Sequence, residues 1–230
     1  MNEPTHPAPE MQRTPHTLLA CSDVHGSYDV VPGFLSKEGA IDGIILAGDL
    51  TTHGSVEEAR RALRSWIAVL PVALVAGNMD PRQLESVFAQ EAHYVNGRAI
   101  RWGAVAIFGV SGSPPTPMKT PYEISETEIM EHAERGWADA QDAPMKIFVP
   151  HAPPMGSTLD LLGGGRHAGS TAVRAFIERR QPDLVLCGHI HEARGREQIG
   201  RTTVVNCGPA HRGCYAVVHL EPELRVELRP

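Results

Sequence analysis

The stretch Thr17-Leu18-Leu19-Ala20-Cys21-Ser22-Asp23-Val24-His25 decides the fold. Its first five residues show no polar alternation, which is how a strand buried on both faces reads. The run then stops at an aspartate and a histidine two residues apart. The pattern recurs four times: apolar runs at 43–47, 71–76, 146–149 and 184–187 are bounded by Gly, Pro or Asp and end in Gly48-Asp49, Gly77-Asn78, His151 and Gly188-His189-Ile190-His191.

Amphipathic segments separate several of these runs. Residues 55–70 place Val56, Ala59, Leu63, Trp66, Ile67 and Leu70 on one helical stripe, with Ser55 as cap and Glu57 and Glu58 near the positive end. Residues 81–90, 125–141 and 170–180 read as further helices and 30–36 as a short one, so strands alternate with helices in βαβ fashion. Asp80-Pro81 reads as the cap and first-turn proline of the helix that follows. The later runs 99–101, 105–110, 202–206, 214–219 and 225–228 are β-rich and divided by short polar turns, which implies antiparallel strands and a second sheet. Residues 111–121, with four prolines, and the glycine-rich 162–169 read as loops. The expected class is α/β.

Composition narrows the function. With 42% hydrophobic and 21% charged residues over 230, the chain is of ordinary globular make-up, long enough for one large domain. Residues 1–16 are rich in Pro and polar residues and read as a flexible tail, leaving 17–230 as a single domain. No apolar run approaches the roughly 20 residues that span a bilayer, so no membrane association is expected. Cys21, Cys187, Cys207 and Cys214 are scattered, as suits reduced thiols in a cytoplasmic protein. The charge of −6 and the 5% aromatic content argue against a long nucleic acid as partner.

The strand ends carry the chemistry. In open α/β sheets, ligands bind beyond the carboxyl ends of the strands. Asp23, His25, Asp49, Asn78, His151, His189 and His191 can therefore converge. Residues i and i+2 of an extended chain share a side, so Asp23 with His25, and His189 with His191, can each grip one site. Taken singly, an Asp or Asn at such a point is most often a turn-maker; the ordered set reverses that. Seven oxygen and nitrogen ligands are too many for one tetrahedral ion, and two divalent metal ions sharing a carboxylate fit better.

The ordered pattern D-x-H, G-D, G-N, H and G-H-x-H resembles that of the calcineurin-like metallophosphoesterases. The resemblance runs from Asp23 to His191 and implies a four-layer α/β/β/α sandwich of two mixed sheets. It implies one metal on Asp23, His25, Asp49 and His191, and the other on Asn78, His151, His189 and the bridging Asp49. The stretch Val205-Asn206-Cys207-Gly208-Pro209 looks like the family's turn after G-H-x-H. Manganese is the ion expected, with iron, zinc, nickel or cobalt as alternatives that accept the same ligands.

One position departs from the pattern. Many members carry a His after the metal-binding Asn, and here it is Met79, which has no proton to give. That resembles the branch that favours phosphodiesters. The expected activity is hydrolysis of small phosphodiesters, cyclic nucleotides among them, by a hydroxide held between the metals, with a phosphomonoesterase, a nuclease or a non-catalytic metal-binding scaffold as alternatives. His167 and His53, near the site loops, are candidates for a general acid or a phosphate contact. His16, His93, His132, His211 and His219 read as surface or packed residues. The proline-rich loop and β-rich half leave surface for a homo-oligomer.

Overall fold

In chain order the elements are β1 (Thr17–Cys21), α1 (Val30–Leu35), β2 (Gly43–Ala47), α2 (Val56–Ile67), β3 (Val72–Val75), α3 (Leu84–Glu91), β4 (His93–Tyr94), β5 (Ala99–Trp102), β6 (Val105–Val110), α4 (Glu126–Ala140), β7 (Met145–Pro150), β8 (Leu161–Leu162), β9 (Arg166–His167), α5 (Thr171–Arg180), β10 (Leu184–Cys187), β11 (Gly195–Ile199), β12 (Thr202–Asn206), β13 (Tyr215–His219) and β14 (Arg225–Arg229). They come from a computed structural model that describes residues 13–52 and 55–230. Residues 1–12 of the expected tail lie outside it. Arg13 to His16 are tied down: the Arg13 guanidinium donates to Asp42 Oδ1 at 2.6 Å, the His16 N–H donates to Asp42 Oδ2 at 2.8 Å, and the Ala104 N–H donates to Thr14 Oγ1 at 2.9 Å.

Two six-stranded sheets form, ordered β14-β13-β1-β2-β3-β4 and β11-β12-β10-β7-β6-β5. In one, β1 to β4 are parallel and β13 and β14 extend it antiparallel; in the other, β12, β10, β7 and β6 are parallel with antiparallel edges β11 and β5. The two halves of the chain are therefore not one sheet each. The buried runs β7 and β10 join the second sheet, and the C-terminal β13 and β14 return to the first.

Period-2 alternation explains the layering. Leu18, Ala20, Ile45, Ala47, Ala73 and Val75 of the first sheet pack in one cluster with Ile107, Ile147, Val149, Leu184 and Leu186 of the second. The alternate residues Leu19, Ile44, Val72, Phe108, Phe148 and Val185 face outward with the helices' apolar stripes, Leu63, Trp66, Ile129, Ala133, Phe176 and Ile177. Both faces of the central strands are thus dry, which is why those strands lack polar positions. A Cβ on Gly136 of α4 would press into the Phe108 ring, so this glycine sets how closely that helix lies on β6.

The caps follow the sequence. Ser55 accepts from the Glu58 N–H at 3.4 Å, and Ser125 and Glu128 form a reciprocal capping box on α4. Glu126 reaches across to α5, accepting from Ser170 Oγ at 2.5 Å and from the amides of Thr171 and Ala172 at 2.9 Å each. No helix among the described residues is long and apolar enough to cross a membrane.

Three sequence expectations change. Residues 162–169, read as a loop, contain all but the first residue of a short hairpin, β8 with β9. β11 went unforeseen, because Arg196, Glu197 and Gln198 hide an edge strand whose burial alternates. Asp80 caps no helix, since α3 begins at Leu84.

Candidate metal centre

The parallel strands end in register, Cys21 beside Leu46 and Ala47 beside Val75, so the loops that follow open at one edge of the sandwich. Sharp turns bring their side chains inward. Asp23, His25, Asp49 and His189 have φ of 59°, 49°, 53° and 68°, a left-handed backbone that costs energy in non-glycine residues and is held by the surrounding hydrogen bonds. The Asp23 N–H donates to Gly48 O and the His25 N–H to Asp49 O, each at 3.0 Å, which zips the two loops together. Gly77 and Gly188 permit the close approach: a Cβ on the former would overlap Asp49, and on the latter Ser22 and Asp23.

All seven expected ligands come together, in two groups. In one, Asp23 Oδ1 lies 3.2 Å from His191 Nε2 and 3.8 Å from His25 Nε2, and the two imidazole nitrogens are 3.2 Å apart. In the other, Asn78 Oδ1 lies 2.9 Å from His151 Nε2 and 2.7 Å from His189 Nδ1. Asp49 Oδ2 stands between them, 3.7 Å from His25 Nε2 and 3.5 Å from His151 Nε2. The pairing by extended i and i+2 residues fails for His189 and His191, because the left-handed turn at His189 sends the two rings to different groups.

The spacing fits metal ions. Donors about 2.0–2.2 Å from one first-row cation lie about 3.0–3.6 Å from one another in octahedral or tetrahedral arrangements. Asp23, His25 and His191, at 3.2–3.8 Å, lie near that range and Asn78, His151 and His189, at 2.7–2.9 Å, just below it, and each group gathers lone pairs that repel unless a cation or proton sits among them. Asp23, Asp49, Asn78 and His151 are almost wholly buried, so water does not relieve the repulsion.

The protein's own charges reflect the crowding. Burial works against the charged form of Asp23, yet the hydrogen bond from His191 and the nearby His151 bring its pKa down to about 2. Burial likewise opposes a charged His151, but Asp49 beside it carries the ring to about 9. Burial, then the neighbouring His151, push His189 down to about 4, which leaves it a neutral donor.

Four further residues shape the site. The His151 Nδ1–H donates to Ala47 O at 2.7 Å, which fixes Nε2 as the facing atom. The Met79 N–H donates to Asp49 Oδ1 at 2.7 Å. Asp80, fully buried, accepts from the amides of Thr51 and Gly77 at 2.8 Å and of Leu50 at 3.1 Å; burial and then Asp49 raise its carboxyl to about 7. His211, read from the sequence as a surface or packed residue, belongs here too: its ring lies 5.2 Å from that of His25 and 5.3 Å from that of His191, and its Nδ1 lies 2.9 Å from Asp23 O. It sits in the turn after β12, where the N-x-G stretch was the available signal.

Of the two expected proton donors, His53 lies outside the described residues. His167, on β9, is placed on the wall of a cavity that His189 also lines, with its Nδ1 2.6 Å from the buried Asp160.

The profile of the calcineurin-like phosphoesterases matches residues 16–193. The chain belongs to this family. Its members are metal-dependent hydrolases of phosphate esters, and in this chain the donor atoms of Asp23, His25 and His191, and those of Asp23, Asp49 and His151, lie close enough together to hold a metal ion. An uncharacterized protein of Methanocaldococcus jannaschii is 27% identical over 196 residues, 84% of this chain and 88% of its own. A UPF0046 protein of Caenorhabditis elegans is 27% identical over 90% of this chain and 74% of its own. A Thermus thermophilus protein shares the fold at TM-score 0.71 and 22% identity, covering 94% of this chain and 99% of the other.

Proposed function

We propose that this calcineurin-like phosphoesterase is a dinuclear phosphodiesterase of small diesters, cyclic nucleotides among the candidates, with residues 17–230 acting as one cytoplasmic domain. The observation that carries the reading is the position of Asp49 Oδ2 between the two ligand groups. Asp23, His25 and His191 would hold one ion and Asn78, His151 and His189 the other, with Asp49 shared and manganese the ion favoured. When bound, such ions supply Lewis acidity to the phosphoryl group and acidify water at neutral pH.

The chain's residues prepare that chemistry. The Met79 amide turns Asp49 so that Oδ2 faces both groups, and the His189 N–H, shared between Asp23 Oδ2 at 3.1 Å and Oδ1 at 3.3 Å, anchors the Asp23 carboxylate. His211 packs against His25 and His191, limiting their rotation. The preference for diesters is supported by Met79, a thioether where a proton donor would aid a monoester, whose loose transition state puts more charge on the departing oxygen. His167 is the chain's contact to the departing side.

The test is hydrolysis of bis(p-nitrophenyl) phosphate and p-nitrophenyl phosphate by metal-stripped protein with Mn²⁺, Zn²⁺, Ni²⁺ and Mg²⁺ restored one at a time. The reading predicts metal-restored turnover, faster on the diester. Faster monoester turnover would make the chain a phosphomonoesterase, and silence in protein that binds two ions would make it a scaffold.

A further inference from the structure

A buried polar network outside the ligand groups holds Ala76-Gly77-Asn78, the turn after β3. Glu85, in the first turn of α3, is its hub. Its Oε1 accepts from the Tyr94 hydroxyl at 2.5 Å, from the Tyr122 hydroxyl, and from the Asn96 side-chain amide at 3.4 Å. Tyr94 and Tyr122 are 8% and 2% exposed, so water competes little for these bonds. Burial, then the hydrogen bond to Glu85, hold the Tyr122 hydroxyl above its ordinary pKa, which keeps it a donor.

Two paths run from Glu85 to the turn. Tyr94 gives its one proton to Glu85, so its oxygen accepts from Ser111 Oγ at 2.9 Å, and Ser111 Oγ in turn accepts from the Ala76 N–H at 2.9 Å. On the other path the main chain of Tyr122 clasps the turn directly, its N–H donating to Asn78 O at 3.0 Å. The Arg82 guanidinium lies 4.4 Å from the centre of the Tyr122 ring and covers it. Ala76 and Asn78 thus each make a main-chain bond whose partner Glu85 fixes. From this turn Asn78 Oδ1 reaches His151 Nε2 and His189 Nδ1.

We propose that Glu85 is a positioning residue of the metal centre: through Tyr122 and Tyr94 it fixes the backbone of the Asn78 turn and so aims Asn78 Oδ1 at the ion shared with His151 and His189. The proposal rests on the dinuclear reading and adds a residue that touches neither ion nor substrate. Asn78 is the one neutral amide among the seven expected ligands. Without a charge to draw the ion, its share of the binding depends on its aim, and partners behind a ligand supply that aim. The bonds at Glu85 all fall on Oε1, so Glu85→Gln can keep them, whereas Glu85→Ala removes them together.

Calorimetric titration of the full chain with Mn²⁺ tests it. The unaltered chain should bind two ions, and Glu85→Ala should weaken one of them about tenfold or more while leaving the other within about twofold. Glu85→Gln should restore the loss. In an Asn78→Ala background, Glu85→Ala should cost no further affinity, because the two residues act through one ligand. Equal weakening of both ions, two unchanged affinities, or a loss that adds in full to that of Asn78→Ala overturns the assignment. Trypsin reads the network without metal: Lys119 is exposed on the segment that Tyr122 anchors, and Tyr122→Phe, which removes one hydroxyl, should be cut there about threefold or more faster. Faster cutting in a chain that binds fewer than two ions would remove the dinuclear reading and keep Glu85 as the clamp of the turn. Two ions bound, with cutting and affinities unchanged in the variants, would do the reverse.

Discussion

The Met79 backbone N–H donates to Asp49 Oδ1 at 2.7 Å, and that bond decides which way the Asp49 carboxylate faces. Because Oδ1 is occupied by the main chain, Oδ2 is the oxygen left for the two histidine groups. The residue after Asn78 thus acts through its backbone, whatever side chain it carries.

Exchanging that side chain is therefore a clean experiment. Met79 is half-buried, and Met79→His keeps the amide while adding a proton donor beside the site. Monoester turnover should rise at least about tenfold with diester turnover little changed. No rise would contradict the explanation of diester preference.

Asp80 holds the floor of the centre. Its carboxylate satisfies three buried amides from two loops, and Asp80→Ala leaves them without acceptors. Each orphaned amide costs about 1–3 kcal/mol before relaxation, so urea unfolding should show a loss of about 3 kcal/mol. Metal affinity should fall with it, because Asp49 and Asn78 flank the same loops. A loss under about 1 kcal/mol would contradict this role.

A pH-dependent contribution is expected far from the centre. The fork of Arg64 on α2 reaches Glu91 on α3 at 2.7 and 2.9 Å and holds the Glu91 carboxyl below its ordinary value. The folded chain then binds this proton less readily than the unfolded one. The stabilisation is present above the unfolded pKa and is lost as pH falls through the lower folded one. Glu91→Gln should cost about 0.5 kcal/mol at pH 7 and nothing by about pH 3, read from urea midpoints. A cost independent of pH would assign the effect to packing.

The convergence of the seven side chains was legible in the sequence because each follows a short apolar run, and buried parallel strands place their ends together. The sequence did not disclose which sheet each run joins. A strand dry on both faces, such as Val72–Val75, has no polar alternation to mark a partner. Asp80 was misread because Asp-Pro is a strong local helix-start signal, whereas its three partners come from the β2 loop and from Gly77. His211 was missed for a related reason. Its link to Asp23 spans 188 residues, and nothing local to the turn after β12 reveals it.

The central claim is that Asp49 joins two metal ions in one centre. Electron paramagnetic resonance of the chain loaded with two equivalents of Mn²⁺ tests it directly, because ions about 3.5–4 Å apart through one carboxylate couple magnetically. The account predicts a coupled-pair spectrum that Asp49→Ala abolishes while circular dichroism shows the fold retained. A spectrum of isolated ions in the unaltered chain, or coupling that survives in Asp49→Ala, would contradict it.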